Sequence, residues 1–215
     1  MILYSGPMSL FTGKVRIALD EKRLDYELVS VPFSRAGYEP KHPKVLELNP
    51  KRQVPVLVDG DVAIYDSTII FEYLEDRYPE PALYPRDPAR KARCRVLEAA
   101  ADEILFPPVW DLIREVFYKP DGNGRDDALV AGAKAAIAAH YDRLERQLGE
   151  QAFLCGDPSV ADLGYFMTIT FATSLGQGLG AAHPGLQSWY GRLLERPAFG
   201  RELERLMTAN RTLAS

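Results

Sequence analysis

Cysteine is nearly absent. Only Cys94 and Cys155 occur in 215 residues, and they stand far apart in the chain. Their spacing fits neither a disulfide framework nor a zinc motif, so a reducing compartment is expected. Histidine is as scarce: His42, His140 and His183 are scattered, which suggests no metal set and no nucleophilic triad. Neither charge sign dominates, with 26 basic against 30 acidic residues and a net charge of -4. That balance argues against a nucleic-acid partner. No apolar run is long enough for a membrane span, and no basic leader follows Met1. The expectation is a soluble cytoplasmic protein with no membrane and no nucleic-acid partner. What is present is ordinary globular material, 47% apolar and 26% charged. The length suits one large domain or two small ones.

The chain changes texture near its middle. Residues 1–78 mix short apolar runs with helical patterns, whereas residues 89–215 show almost only helical periodicity. Between them, 79–88 carries Pro79, Pro81, Pro85 and Pro88 and reads as a linker. In the first part, Ile2-Leu3-Tyr4 reads as a strand, 13–23 as a helix and 26–31 as a second strand, a right-handed parallel unit. A short helix over 42–48 follows. Val54–Val58 and Val62–Ile64 flank Asp59-Gly60, a strong hairpin signal. Residues 67–77 form a helix. In the second part, helical stretches fall at 88–117, 126–149, 159–175, 185–195 and 198–206. Pro107-Pro108 is expected to break or kink the first.

Four segments carry a resemblance. They are Leu3–Ser9 with Lys14–Leu19; Asn49–Leu57; Tyr65–Leu74; and Gly156–Asp162. In this order and spacing the chain resembles a cytosolic glutathione S-transferase of the serine type over essentially its whole length. The resemblance implies an α/β thioredoxin-like N-terminal domain joined to an all-α C-terminal helical bundle. It implies a transferase with glutathione as substrate, a small apolar electrophile as second substrate, no metal, a homodimeric state and a role in detoxification. Two relatives of other function are also similar. Ser-Gly-Pro before a Val-Arg-Ile helix resembles the stringent starvation protein A family, non-catalytic partners of RNA polymerase. Val15–Leu19 is similar to zeta-class maleylacetoacetate isomerases. These carry Ser-Ser-Cys where this chain has Ser9-Leu10-Phe11, which argues against isomerisation.

The resemblance assigns catalysis to Ser9, six residues ahead of Val15. The task is to hold a thiolate. A free thiol has a pKa of about 8.5, and lowering it by about two units takes roughly 2.7 kcal/mol. A hydroxyl hydrogen bond to an anion supplies about 1.5–3 kcal/mol, and a helix N-terminus about 0.3–1 kcal/mol more. Serine then acts as donor rather than base. Thr12 and Ser5 are the alternative hydroxyls. The absence of cysteine from residues 9–12 excludes dithiol exchange there.

Glutathione binding is assigned by the same resemblance to Phe11, Gln53, Val54, Pro55, Asp66 and Ser67. The Val54–Pro55 bond is expected to be cis, turning the Val54 main chain toward the cysteinyl backbone of glutathione. Ser67 at a helix start suits the γ-glutamyl carboxylate, and Asp66 its ammonium. Lys41 and His42 are placed near the glycyl carboxylate. Ser159–Asp162 has capping-box spacing and reads as folding chemistry. Phe106, Trp110, Phe117 and Tyr118 read mainly as core, with pocket lining for the electrophile by one or two of them as the alternative. Phe71, Tyr78, Leu97 and Leu105 look like surplus apolar surface for a dimer interface.

Overall fold

The computed structural model describes residues 1–34, 37–39, 41–119 and 122–214. Near the N-terminus lies a four-stranded mixed sheet in the order β2-β1-β3-β4. Its strands are β1 Ile2–Ser5, β2 Glu27–Ser30, β3 Val56–Asp59 and β4 Val62–Tyr65. Helix α1, Leu10–Glu21, crosses over between β1 and the parallel β2, as a parallel pair requires. β3 runs antiparallel to β1 and turns through Asp59-Gly60 into β4. Helices α2, Pro43–Leu48, and α3, Ser67–Arg77, complete this part. The strands alternate in burial. Tyr4 and Val56 join Val31 and Val45 in one cluster, with Ile2, Val58 and Tyr65 packed against it. Leu3, Leu57 and Ile64, one row of the register, serve the opposite face. There α1 supplies Val15, Ala18 and Leu19, and α3 supplies Ile70, Phe71 and Leu74, all buried. Each of these side chains larger than Ala18 stabilises by about 1.5–3 kcal/mol.

The remaining helices are α4 Pro88–Ala100, α5 Phe106–Leu112, α6 Asp127–Leu148, α7 Val160–Ser174, α8 Pro184–Leu194 and α9 Pro197–Ala214. α7 is buried from Val160 to Ala172 on every side. A helix apolar all round belongs at the centre of a bundle, and here Trp189, Tyr141, Leu97 and Leu105 are among the buried residues of its own unit.

Four expectations change. Pro107-Pro108 does not break the helix. A π-helical turn, Ala101–Leu105, precedes α5, and the Phe106 N–H bonds back to Ala101 O. This longer register carries the backbone past two residues that have no N–H. A second π-helical turn, Ile113–Phe117, follows α5. Next, α9 groups with the N-terminal part. Compact packing divides the chain into 1–83 together with everything from Arg196 onward, and 84–195. The sequence-based division put 89–215 in one domain. The physical tie is a buried ion pair, Arg16 Nε donating to Glu202 Oε2 at 2.7 Å. Nor is 79–88 simply a free connector. The buried Lys22 ammonium donates to Glu75 at 2.7 Å, Tyr78 O at 2.7 Å and Pro81 O at 2.9 Å. Finally, Phe71, Leu97 and Leu105 are buried within the chain's own units, and Tyr78 donates its hydroxyl to Asp59 at 2.9 Å. They are not spare surface. The large apolar residues that are exposed include Ile69, Val96 and Ile104.

Candidate active site

The register brings the candidate residues to one end of the sheet. β1 ends at Ser5, Tyr4 pairs with Val56 at the start of β3, and Val56 pairs with Tyr65 at the end of β4. Ser9, Val54–Pro55 and Asp66-Ser67 therefore leave the same edge. Phe11 lies in the first turn of α1, where the buried Lys14 ammonium sits 5.3 Å from its ring centre and 5.6 Å from that of Phe71.

Ser9 is the N-cap of α1, in extended backbone conformation, and its Oγ accepts from Thr12 N at 3.2 Å. An oxygen that accepts still carries its own hydrogen, and that O–H is what Ser9 has to donate. The capping turn begins α1 three residues ahead of the apolar pattern. Thr12 is fully buried, and its Oγ1 accepts from Gly6 N at 3.5 Å. Ser5 is buried as well, and its hydroxyl accepts from Arg16. Tyr38 closes over this segment. Its hydroxyl accepts from Met8 N at 3.1 Å, and a Cβ on Gly6 would stand 2.4 Å from it. Gly6 is thus needed for a close approach.

The Val54–Pro55 bond is cis. The loop before it is organised by Asn49, which receives Lys51 N on Oδ1 at 2.9 Å and donates from Nδ2 to Gln53 O at 2.7 Å. Gln53 itself is exposed. Asp66 caps α3, accepting from Thr68 N at 3.2 Å. Its φ of 79° is unusual for a residue with a side chain and costs of order 1–3 kcal/mol, strain of the kind held at functional sites. Its other oxygen accepts from Lys51 Nζ at 2.9 Å. Burial raises the Asp66 carboxyl, but the Lys51 hydrogen bond and charge outweigh it and leave its pKa lowered. Ser67, buried, is the first residue of α3. His42 caps α2, accepting Lys44 N on Nδ1 at 3.2 Å, and Lys41 pairs with Glu39 at 3.5 Å.

Some candidates part company. Trp110 and Tyr118 are 42% and 38% exposed, so the aromatic stretch is not simply core. Gly156–Asp162 is saturated: Asp162 receives Ser159 N and Oγ, Leu154 N and Trp189 Nε1. Sequence reasoning missed Lys51, Lys14 and Tyr38. Lys14, at the start of Lys14–Leu19, and Lys51, fifteen positions from Asp66, lay in motifs already singled out. Among the described residues, no group of three or more His, Cys, Asp or Glu is placed to hold a metal ion, and no helix is long and apolar enough to cross a membrane.

The chain is similar to known proteins along most of its length. The family model "Glutathione S-transferase, N-terminal domain" matches residues 3–82, and "Glutathione S-transferase, C-terminal domain" matches 127–192. Glutathione S-transferase PARB of Nicotiana tabacum is 32% identical over 209 residues, 95% of this chain and 97% of that one. The maleylacetoacetate isomerase of Pseudomonas aeruginosa is 35% identical over 188 residues, covering 84% and 85%. A stringent starvation protein A homolog of Coxiella burnetii is 39% identical, but over only 45% of this chain and 44% of that one. Among solved structures, a glutathione S-transferase of Methylobacterium radiotolerans in complex with glutathione sulfonate superposes with a TM-score of 0.76. It is 28% identical and the match covers 94% of this chain and 93% of that one.

Proposed function

Because the chain belongs to the glutathione S-transferase family, we propose that it conjugates the glutathione thiolate to a small apolar electrophile, with Ser9 as the thiolate's hydrogen-bond donor. The observation that carries this reading is the capping geometry of Ser9. Its oxygen is committed to Thr12 N, so its hydrogen is the free polarity at the head of α1. Thr12, the alternative, is fully buried and accepts from Gly6 N. The donor and the helix start together meet the roughly 2.7 kcal/mol that a thiol pKa lowered by about two units requires.

Glutathione lies along the sheet end. Val54 offers its main-chain N–H and C=O to the cysteinyl backbone, beside Pro55 and Gln53, as a short strand addition. The start of α3, with Ser67, takes the γ-glutamyl carboxylate, and Asp66 takes the ammonium. Lys51 is exposed and can yield Asp66 to that ammonium. Phe11 flanks Ser9. The M. radiotolerans relative, solved with glutathione sulfonate, supports a glutathione site in this fold. The protein is a cytoplasmic homodimer that detoxifies electrophiles. Ser9-Leu10-Phe11, in place of Ser-Ser-Cys, separates the chain from the isomerase relatives.

The test is a conjugation screen with glutathione and electrophiles of graded size, run beside a thermal shift with glutathione. Turnover with at least one electrophile, together with stabilisation by glutathione, is expected. Stabilisation without turnover against any of them would overturn the catalytic reading and leave a binding protein.

A further inference from the structure

Arg16 is a charged residue inside the apolar run Val15–Leu19, and it is 3% exposed. A buried guanidinium needs partners for its donors. Here they divide between two parts of one unit, 1–83 with 196–215. On one side stands Glu202 of α9, itself buried. It accepts Arg16 Nε on Oε2 at 2.7 Å and Arg16 Nη2 on Oε1, a two-pronged pair. On the other side Arg16 Nη1 donates to Ser5 Oγ and, at 3.4 Å, to Gly6 O.

Gly6 O is where this pair meets the candidate active site. The same carbonyl accepts Ser9 N at 3.3 Å. The rest of the turn is tied as well. Gly6 N donates to Thr12 Oγ1 at 3.5 Å and Met8 N to the Tyr38 hydroxyl at 3.1 Å, while Pro7 has no N–H to place. Thr12 N returns to Ser9 Oγ at 3.2 Å. The backbone and hydroxyl of Ser9 are therefore set by a turn whose shared acceptor is clamped from α9, 186 residues away in sequence. A second tie between the same two helices, Arg201 to Asp20 at 2.9 Å, sits at the other end of α1.

We propose that Glu202, acting through Arg16, is a positioning residue for the Ser9 hydroxyl, so that α9 braces the turn that aims the donor at the glutathione thiolate. The proposal rests on the Ser9 reading and adds to it the group that holds Ser9 in place. What the brace supplies is aim, and a remote change that misplaces a reacting group by about 1 Å can cost about a hundredfold. A poorly aimed donor leaves the bound thiol with a higher pKa. The thiolate is the nucleophile, so the loss is greatest at low pH and recovers as pH rises through that pKa.

Replacing one partner alone strands a buried charge, whereas replacing a buried ion pair by apolar side chains of similar size is often neutral or stabilising. The test variant is therefore Arg16→Met combined with Glu202→Met. Amide exchange followed by NMR should be about tenfold faster at Ser9 than in wild type, measured against the amides of β3 in the same sample. The thiol of bound glutathione, titrated by its thiolate absorbance, should rise by about one pKa unit, with kcat about tenfold lower below that pKa and restored above it. The KM for glutathione should stay within about twofold, because the γ-glutamyl end is assigned to Asp66 and Ser67. Arg201→Ala should leave both the Ser9 exchange rate and the pH profile as they are. Glu202→Asp keeps both charges and withdraws the carboxylate by one methylene. It should move both readouts the same way by about threefold, and it decides the matter if the double variant does not fold. Wild-type exchange at Ser9, or a slower reaction with an unshifted pH profile, would overturn the proposal. A wild-type chain that binds glutathione without lowering its thiol pKa would overturn the Ser9 reading instead, and the exchange rates, which need no turnover, still decide whether α9 braces the turn.

Discussion

Ser9 at the head of α1 and Ser159 at the head of α7 are the same residue in the same extended-then-helical geometry. They differ in what surrounds their oxygens. Ser159 is buried, and it shares a reciprocal box with an Asp162 that also holds Leu154 N and Trp189 Nε1. Burial raises the Asp162 pKa against those hydrogen bonds. Ser9 gives one acceptor site to Thr12 N and keeps its hydrogen at the sheet end. One cap is closed on itself and serves folding; the other is left with a donor, the one that the proposed chemistry would use. Spacing alone does not separate them, because both are buried and the difference lies in saturation.

The largest effect should come from breaking the closed cap. Asp162→Ala strands four buried donor groups and should destabilise by about 3–5 kcal/mol, each unsatisfied group costing about 1–3 kcal/mol before relaxation. Denaturant midpoints check this. A loss under about 1 kcal/mol would mean that water replaces the carboxylate.

Ser9→Ala should cost only about 1 kcal/mol of stability as a lost N-cap, yet lower kcat ten- to a hundredfold, matching roughly 1.5–3 kcal/mol of thiolate stabilisation. Steady-state kinetics decide it. Unchanged turnover here, with turnover abolished in Thr12→Ala, transfers the role to Thr12.

A smaller effect, about tenfold, is expected on glutathione affinity in Asp66→Ala and Ser67→Ala, with kcat at saturation nearly intact, since the remote γ-glutamyl end is held alike in ground and transition states. Asp66→Gly sharpens the point. It relieves the positive φ while removing the carboxylate, so stability should hold or rise as affinity falls. Calorimetry giving wild-type affinity in all three variants would remove both residues from the site.

The effect that is smallest at neutral pH concerns a closed polar group of the helical unit. His140 Nε2 meets Tyr165 Oη at 3.0 Å, and its Nδ1 receives Arg143 at 3.3 Å. Burial, then the Arg143 charge, lowers its pKa from 6.5 to about 4. The unfolded chain therefore binds this proton first. The stability it contributes is present above about pH 6.5 and is lost as pH falls toward 4, at up to roughly 1.4 kcal/mol per pH unit. In His140→Asn, the difference in pH slope from wild type should vanish above pH 7. A wild-type slope in the variant would assign the acid sensitivity elsewhere.

Much of the fold was legible because local signals were strong. Short apolar runs placed β1, β3 and β4, Asp59-Gly60 placed the β3–β4 hairpin, and the cap spacing placed α7. The candidate site was legible through Ser9, Val54–Pro55 and Asp66-Ser67, all next to element ends that the pattern marks. What was not legible depends on distant contacts. Nothing local pairs Arg16 with Glu202. A prolyl pair signals a break unless the backbone changes register, and the π-helical turn before α5 carries no signal of its own. Phe71, Leu97 and Leu105 looked surplus because a helix wheel does not show how many neighbours a face will meet.

The Arg16–Glu202 pair sets a timetable for a nascent chain. Arg16 leaves the ribosome early, and its partner follows 186 residues later, roughly 10–40 s at ordinary elongation rates. Through that interval a guanidinium destined for the interior, beside Ser5 and Gly6 O, has no carboxylate to meet. The 84–195 unit is fully synthesised first. The N-terminal sheet, although made first, is the last part to be finished, and a stop codon ahead of Glu202 would withhold its final partner from the end of β1 that leads to Ser9.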